Sequence, residues 1–226
     1  SNANRLYWLG RYEERVYTTM HLLRRVYDKM IDGKPEEYSV FWKKFNVENT
    51  YCSHDEFELG MLYDENNPSS VISAQLRAMD NAMVLRSCIM SESLSYLEMS
   101  LARLRECKAA KTKNITELQQ LTDWSLAFFG CVEQRVENNV VLCLIYLGRI
   151  VEYIDTLIRF DYPVERVRYA FEGLSLYTHL VEHIVSREAL DEFEKMLDTE
   201  IYKPMDESWN SVKGQLLCLI NSAIRV

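Results

Sequence analysis

The feature that most constrains the fold is a long stretch without helix-breaking residues. Between Pro68 and Gly130 the sequence contains neither glycine nor proline. Apolar residues recur there in steps of three and four, which places them on one face of an α-helix: Ile72, Leu76, Met79, Met83, Met90, Leu94, Leu97, Leu101 and Leu104. No segment shows the alternation typical of a strand. The pattern therefore predicts an all-α fold.

The same periodicity places the other helices. A first helix is predicted from about Asn4 to Ile31, and residues 36–66 favour only short helices, one of them from His54 to Tyr63. Capping residues and prolines predict later helix starts at four positions: Asn67, Asn114, Pro163 and Ser186. A last helix is predicted from Trp209 to Ile224. We expect a single antiparallel bundle of about six to eight helices over residues 4–226, since residues 1–3 are typical of an expression-tag remnant.

A short motif occurs twice in the chain. Gly10, Arg11, Glu14 and Thr18 are matched at the same spacing by Gly148, Arg149, Glu152 and Thr156. Each glycine follows a leucine, so the tripeptide Leu-Gly-Arg begins both copies. Arginine, glutamate and threonine at i, i+3 and i+7 share one helical face. We interpret the copies as two equivalent helices of one bundle or as a duplicated half, with chance recurrence as the alternative.

Composition argues against several classes of function. The net charge is −8 and no run of five basic residues occurs, whereas nucleic-acid and anionic-membrane surfaces concentrate Lys and Arg. The longest apolar run, residues 140–147, is far shorter than the ~20 residues of a membrane span. Six cysteines without a CxxC pair are typical of small buried residues in a reducing compartment, so we expect a cytoplasmic protein.

Motifs for catalysis or cofactor binding are not found. The sequence lacks GxGxxG, GxxxxGK[ST], GxSxG and the di-iron Glu-x-x-His pattern. His179 and His183 have i, i+4 spacing on a predicted helix, but Leu180 stands where the metalloprotease pattern needs glutamate. We therefore predict no catalytic residue, no metal site and no cofactor.

Each predicted helix carries an apolar stripe, which we call its seam. The remaining candidates are arginines and polar residues beside or within these seams. They are Arg11, Glu14, Arg15, Asp80, Asn81, Arg86, Arg149 and Glu152. Arg86 falls within a seam, where arginine is costly to bury unless a carboxylate meets it. We expect Glu14 and Glu152 to be buried in bidentate ion pairs with Arg11, Arg86 or Arg149. A solvated kink at Arg86 is the alternative.

This constellation has two interpretations. In the first, the ion pairs fix how the helices align with one another. In the second, Arg11, Arg86 and Arg149 line a pocket for a carboxylate or phosphate. Residue types and spacing leave both open.

Three blocks of the sequence resemble a known family. The block from Asn4 to Arg15 resembles the opening motif of the bacterial alpha-E domain, named for its Glu-Arg pair. Residues 76–86 are similar to that family's Ala-Arg-Glu-Asn-Ala-Arg block, with Asp80 in place of its glutamate. Residues 146–153 resemble its second Leu-Gly-Arg block, with Tyr153 in place of an arginine. The resemblance implies an all-helical protein.

The resemblance also implies an association with circularly permuted ATP-grasp ligases and transglutaminase-like proteins, and so with a system that makes or modifies peptide-like bonds. We hypothesise a non-catalytic binding or scaffolding partner of these enzymes. The alternative is an enzyme or ligand-binding module that uses the Arg/Glu pocket on a carboxylate-bearing peptide. The distinguishing feature is whether the pocket is open or is sealed by the aromatic residues of the first helix.

Overall fold

The structure is a computed structural model that describes residues 1–31, 37–45, 50–113, 115–201, 203 and 208–226, without the side chains of residues 29–31, 37–40 and 115. These residues form eleven α-helices, numbered in chain order: α1 (Asn2–Ile31), α2 (Glu37–Lys44), α3 (His54–Tyr63), α4 (Val71–Val84), α5 (Arg86–Ile89), α6 (Ser91–Ala110), α7 (Ile115–Arg135), α8 (Asn139–Arg159), α9 (Val164–Thr178), α10 (Arg187–Glu200) and α11 (Trp209–Ser222). A 3-10 helix covers Glu182–Ile184, and the described residues contain no strand beyond an isolated bridge between Val185 and Ile224. The all-α prediction is confirmed, while six to eight helices is too low a count.

The chain divides into two compact units. The first unit contains residues 1–11 and 138–226, and the second unit contains residues 12–137. Helix α1 runs without interruption from one set of residues into the other. The expectation of one domain over residues 4–226 stays a prediction.

Helix α8 forms the core of the first unit. Its predicted apolar stripe is buried throughout, at Leu144, Leu147, Val151, Ile154 and Ile158. Asn138 caps the helix, since its Oδ1 accepts hydrogen bonds from the backbone N–H groups of Val140 and Val141. Helices α9 and α11 both pack against α8. The apolar periodicity of the sequence therefore predicts this core correctly.

Two glycines allow α1 and α8 to approach closely within the first unit. A Cβ atom at Gly10 would lie 1.9 Å from the carbonyl oxygen of Ile145, and one at Gly148 would lie 1.9 Å from that of Tyr7. Both distances are far inside van der Waals contact, and the atoms met are backbone atoms that cannot move aside alone. Only glycine fits at these two positions in the observed arrangement.

The core of the second unit is formed by the apolar faces of α4, α6 and α7. Helix α6 packs against both α4 and α7, and α3 packs against α4. Leu97, Leu101 and Leu104 of the predicted seam are buried on α6. On α7 the buried face includes Ser125, while the neighbouring Leu126 is exposed.

The long helix predicted through Arg86 is broken. Helix α4 ends at Val84, α5 spans four residues, and α6 begins after Met90, whose φ of 69° and ψ of 155° are rare outside glycine. Arg86 is exposed, as are Met83 and Met90 on either side of it. The break leaves the guanidinium in water, so the alternative of a solvated kink is the one observed. The α4 helix also starts later than predicted, because Ser70 rather than Asn67 caps it.

Two further observations concern the cysteines and the membrane. All six cysteines are free, but only Cys107 and Cys143 are buried, so the expectation that most are buried is wrong. Among the described helices, none has the combination of length and apolarity that crossing a bilayer requires. The helix cap predicted at Asn114 lies outside the described residues.

We expect Gly10→Ala to destabilise the protein by more than the roughly 1–3 kcal/mol of ordinary overpacking, because the new methyl group meets the backbone of α8. Gly130→Ala is the matched control, since a Cβ atom at this exposed position in α7 meets no atom within 4 Å. That change should stabilise α7 by up to about 1 kcal/mol. Urea denaturation measures both effects, and equal stabilities of the two variants would contradict the close approach.

Candidate functional site

A buried ion pair lies in the first unit beside the two glycines. The Nε of Arg11 donates a hydrogen bond of 2.7 Å to Oε2 of Glu152, and Nη2 lies 2.7 Å from the same oxygen. Arg11 is 5 % exposed and Glu152 is 4 % exposed. The structure thus confirms that Glu152 is buried and paired with Arg11. The contact differs from the expected bidentate fork, because both nitrogens converge on one carboxylate oxygen.

Aromatic rings close over the guanidinium. The Cζ atom of Arg11 lies 5.0 Å from the centre of the Trp8 ring and 5.9 Å from that of the Tyr7 ring. Burial alone would lower the pKa of Arg11, but the carboxylate of Glu152, together with Tyr7 and Asp155, raises it above its ordinary value. The guanidinium therefore stays charged, with its charge directed at Glu152.

Asp155 is a buried carboxylate that the sequence analysis did not select. It accepts hydrogen bonds from Arg159 one turn later on α8 and from Nδ2 of Asn221 on α11, the latter at 2.6 Å. The i, i+4 spacing to Arg159 and the i, i+3 spacing to Glu152 were available signals. Asp155 thus ties α11 to the face of α8 that carries Glu152.

A second polar cluster lies in the core of the second unit and centres on Glu13. The Oγ of Ser125 donates to Oε1 of Glu13 at 2.7 Å, and Nε2 of Gln75 donates to Oε2 at 3.4 Å. Ser100 in turn donates to Oε1 of Gln75 at 2.9 Å. Four helices, α1, α4, α6 and α7, each contribute one side chain. We call Glu13, Gln75, Ser100 and Ser125 the Glu13 network.

The Glu13 carboxyl is fully buried, and its donors among the described residues, Ser125 and Gln75, are neutral. Burial raises its pKa from 4.5 to about 7, and the hydrogen bonds from Ser125 and Gln75 only partly offset this effect. The group can therefore hold a proton near neutral pH.

The Glu13 network was not predicted, because most of its members are uncharged residues within apolar stripes and the candidates were mainly charged residues beside them. Ser125 continues the seam of α7 between Leu121 and Phe128, and Ser100 lies next to Leu101 on the buried face of α6. A small hydroxyl residue inside an apolar stripe was the signal, since such a group needs a partner when buried.

The other predicted residues have different environments. Glu14 is buried, and its backbone carbonyl accepts a hydrogen bond from Thr18. The Cζ atoms of Arg15 and Arg77 lie 5.6 and 5.8 Å from the centre of the Tyr12 ring. Arg149 is half-buried, with its Cζ 5.6 Å from the Tyr146 ring centre.

Three members of the predicted set lie at or near the surface. Arg86 and Asp80 are exposed, and Asn81 is half-buried. The expectation of a buried Arg86 ion pair is wrong, because the chain turns away from the helical path before this residue. His179 and His183 are exposed and do not share a helix, since α9 ends at Thr178 and His183 lies in the 3-10 helix.

Comparison with known protein families identifies a matching family. A family model, Alpha-E, described as a predicted alpha-helical domain with a conserved ER motif, matches residues 2–197. The chain carries Glu14-Arg15 within that range. No curated protein and no solved structure matches the chain.

We expect Glu152→Ala to lower the free energy of unfolding by on the order of 3–5 kcal/mol, because the Arg11 charge is left buried without its carboxylate. Glu182→Ala, which removes the exposed partner of Arg187 in the same unit, should cost less than about 1 kcal/mol. The double variant Arg11→Leu/Glu152→Leu should lose less unfolding free energy than the sum of the losses in Arg11→Leu and Glu152→Leu. Urea denaturation measures all of these, and additive losses would show that the two side chains are not coupled.

We expect Glu13→Gln to change how stability depends on pH. The folded chain keeps its Glu13 proton up to about pH 7, whereas the unfolded chain loses it near 4.5. The unfolding free energy of the wild type therefore falls as pH rises through this window, by on the order of 3 kcal/mol from this group. The amide of Glu13→Gln cannot ionise, so the variant should gain stability relative to wild type as pH rises.

Urea denaturation of both proteins across this pH range measures the difference. Glu98→Gln, a change at an exposed position on α6, is the control and should give a nearly constant difference from wild type. A pH-independent difference for Glu13→Gln would contradict the raised pKa.

Proposed function

The chain belongs to the Alpha-E family, and we propose that it acts as a non-catalytic binding or scaffolding partner. Its partners would be an ATP-grasp ligase and a transglutaminase-like protein, in a cytoplasmic system that forms or modifies peptide-like bonds. The partner classes come from the family resemblance of the sequence blocks described above.

The observation that carries this proposal is the closure of the Arg11–Glu152 pair. A pocket for a carboxylate-bearing peptide needs a guanidinium that is open to the ligand, and Arg11 is 5 % exposed, paired with Glu152 and covered by Trp8. A ligand would have to displace Glu152 and leave that carboxylate buried without its cation, which is costly. This supports a structural role for the pair and favours the surface as the site of function.

Helix α9 offers a surface of the kind that a protein partner covers. Tyr169 and Leu176, 79 % and 67 % exposed, have the largest exposed fractions among the large apolar side chains of the described residues. Their i, i+7 spacing places them on one face of the helix, with Gly173 between them. Charged residues such as Arg166 and Glu172 are exposed beside them. An apolar strip with a polar rim supports protein binding.

We also propose that the two Leu-Gly-Arg segments are equivalent helices of an antiparallel bundle. Gly10 meets the carbonyl oxygen of Ile145, and Gly148 meets that of Tyr7. The sequence offset that relates the glycines also relates Tyr7 to Ile145, so one contact is the counterpart of the other. Such reciprocity supports an internal two-fold relation. The net charge of −8 supports the further expectation that the protein does not bind nucleic acid.

We expect the purified protein to retain the ATP-grasp ligase or the transglutaminase-like protein encoded beside its gene in a pull-down. Tyr169→Ser/Leu176→Ser should abolish retention, because it removes the exposed apolar strip of α9. Leu126→Ser is the control, since this residue is exposed on α7 in the second unit and should retain the partner.

The enzyme alternative predicts a different result. The protein would retain neither enzyme in the pull-down, and the purified protein alone would modify a carboxylate-bearing peptide. Glu152→Gln would abolish that activity while the variant keeps its helical circular dichroism. This result would support the enzyme alternative and overturn the scaffold proposal.

A further inference from the structure

The first turns of α3, in the second unit, bring three metal-ligating side chains together. His54, Asp55 and Glu58 each offer one ligand atom, and these atoms all lie within 4.8 Å of one another. On a helix, positions i and i+4 and positions i+1 and i+4 are neighbours, so one backbone segment presents all three groups to one point. Ser53 fixes the start of this helix, because its side chain accepts a hydrogen bond from the N–H of Glu56.

Glu58 is the residue that points to a ligand. It is 7 % exposed, and within the described ranges its carboxylate has no hydrogen bond and no ion pair within 4.0 Å. A cation bound between Glu58, His54 and Asp55 would give this carboxylate, which belongs to a largely buried residue, a partner of opposite charge.

The position of His54 suits metal binding. The imidazole is half-buried beside Asp55 and Glu58, and a neutral ring nitrogen of histidine is a common ligand of metal ions. Its Nδ1 lies 4.0 Å from Oδ1 of Asp55.

The ammonium group of Lys113 lies beside Asp55, one of the three ligating side chains. Its Nζ lies 2.7 Å from Oδ1 of Asp55 and donates a hydrogen bond to it. The ammonium group therefore competes with a metal ion for Asp55. Asp55 itself is largely exposed, so Lys113 can move into solvent when an ion binds.

We propose that His54, Asp55 and Glu58 form a binding site for a zinc ion. An imidazole with two carboxylates is a ligand set for Zn²⁺, whereas Mg²⁺ and Ca²⁺ prefer oxygen ligands alone. Tetrahedral zinc with bonds of ~2.0–2.2 Å holds its ligands about 3.4 Å apart, so the three side chains contract modestly around the ion. The two carboxylates outweigh the partial positive charge of roughly +0.5 at the start of α3. The fourth position is left to water.

The test is a titration of the chelator-treated full chain with ZnCl₂ by calorimetry and with CoCl₂ by visible absorption. We expect one ion per chain and a cobalt spectrum of tetrahedral type. His54→Ala and Glu58→Gln should each weaken binding at least about tenfold. Lys113→Met should strengthen it, because the competing ammonium group is removed. His183→Ala, which removes an exposed histidine in the first unit, should leave binding unchanged.

Circular dichroism establishes that each variant is folded. If His54→Ala does not fold, His54→Asn and the nearly isosteric Glu58→Gln decide the question. The proposal is overturned if wild type takes up neither ion, or if binding survives in both folded ligand variants. It is also overturned if Mg²⁺ displaces zinc at equal concentration, because the imidazole would then not be a ligand.

Discussion

The first unit depends on a backbone contact that only glycine permits. Because Gly10 and Gly148 lack Cβ atoms, the carbonyl oxygens of Ile145 and Tyr7 occupy the space that side chains would otherwise take. The short distance between the backbones is compatible with the contact between Arg11 and Glu152, each of which lies within one turn of a glycine. The ion pair is tolerated in the core because each charge neutralises the other. Close packing and charge burial are therefore parts of one arrangement.

The second unit buries a carboxyl group by a different route. In the part of the chain that the structure describes, Glu13 accepts hydrogen bonds from the hydroxyl of Ser125 and the amide of Gln75, and both donors are neutral. Neutral hydrogen bonds compensate a carboxylate only in part, and the proton is retained to higher pH. Since α1, α4, α6 and α7 each supply one group, a shift of any one helix would leave a buried polar atom without its partner. The Glu13 network therefore specifies how these helices register.

Both buried clusters are closed, which directs attention to the surface for function. Arg11 and Glu13 are each satisfied by neighbours within their own units. Among the described residues, two other features suit binding, the apolar strip of Tyr169 and Leu176 on α9 and the group formed by His54, Asp55 and Glu58 on α3. The former suits a protein partner, and the latter suits a metal ion, because its three ligand atoms lie within 4.8 Å of one another.

The sequence by itself determined the helical class, the bounds of α3, the cap of α10 at Ser186 and the buried stripe of α8, because apolar periodicity and capping act over a few residues. It also predicted that Glu152 is buried in an ion pair, but left Arg11, Arg86 and Arg149 open as its partner. Only the tertiary structure decided that the chain breaks before Arg86, and that Glu13 and not only Glu14 is buried. These outcomes depend on which groups distant segments place opposite a side chain, and no local spacing encodes that.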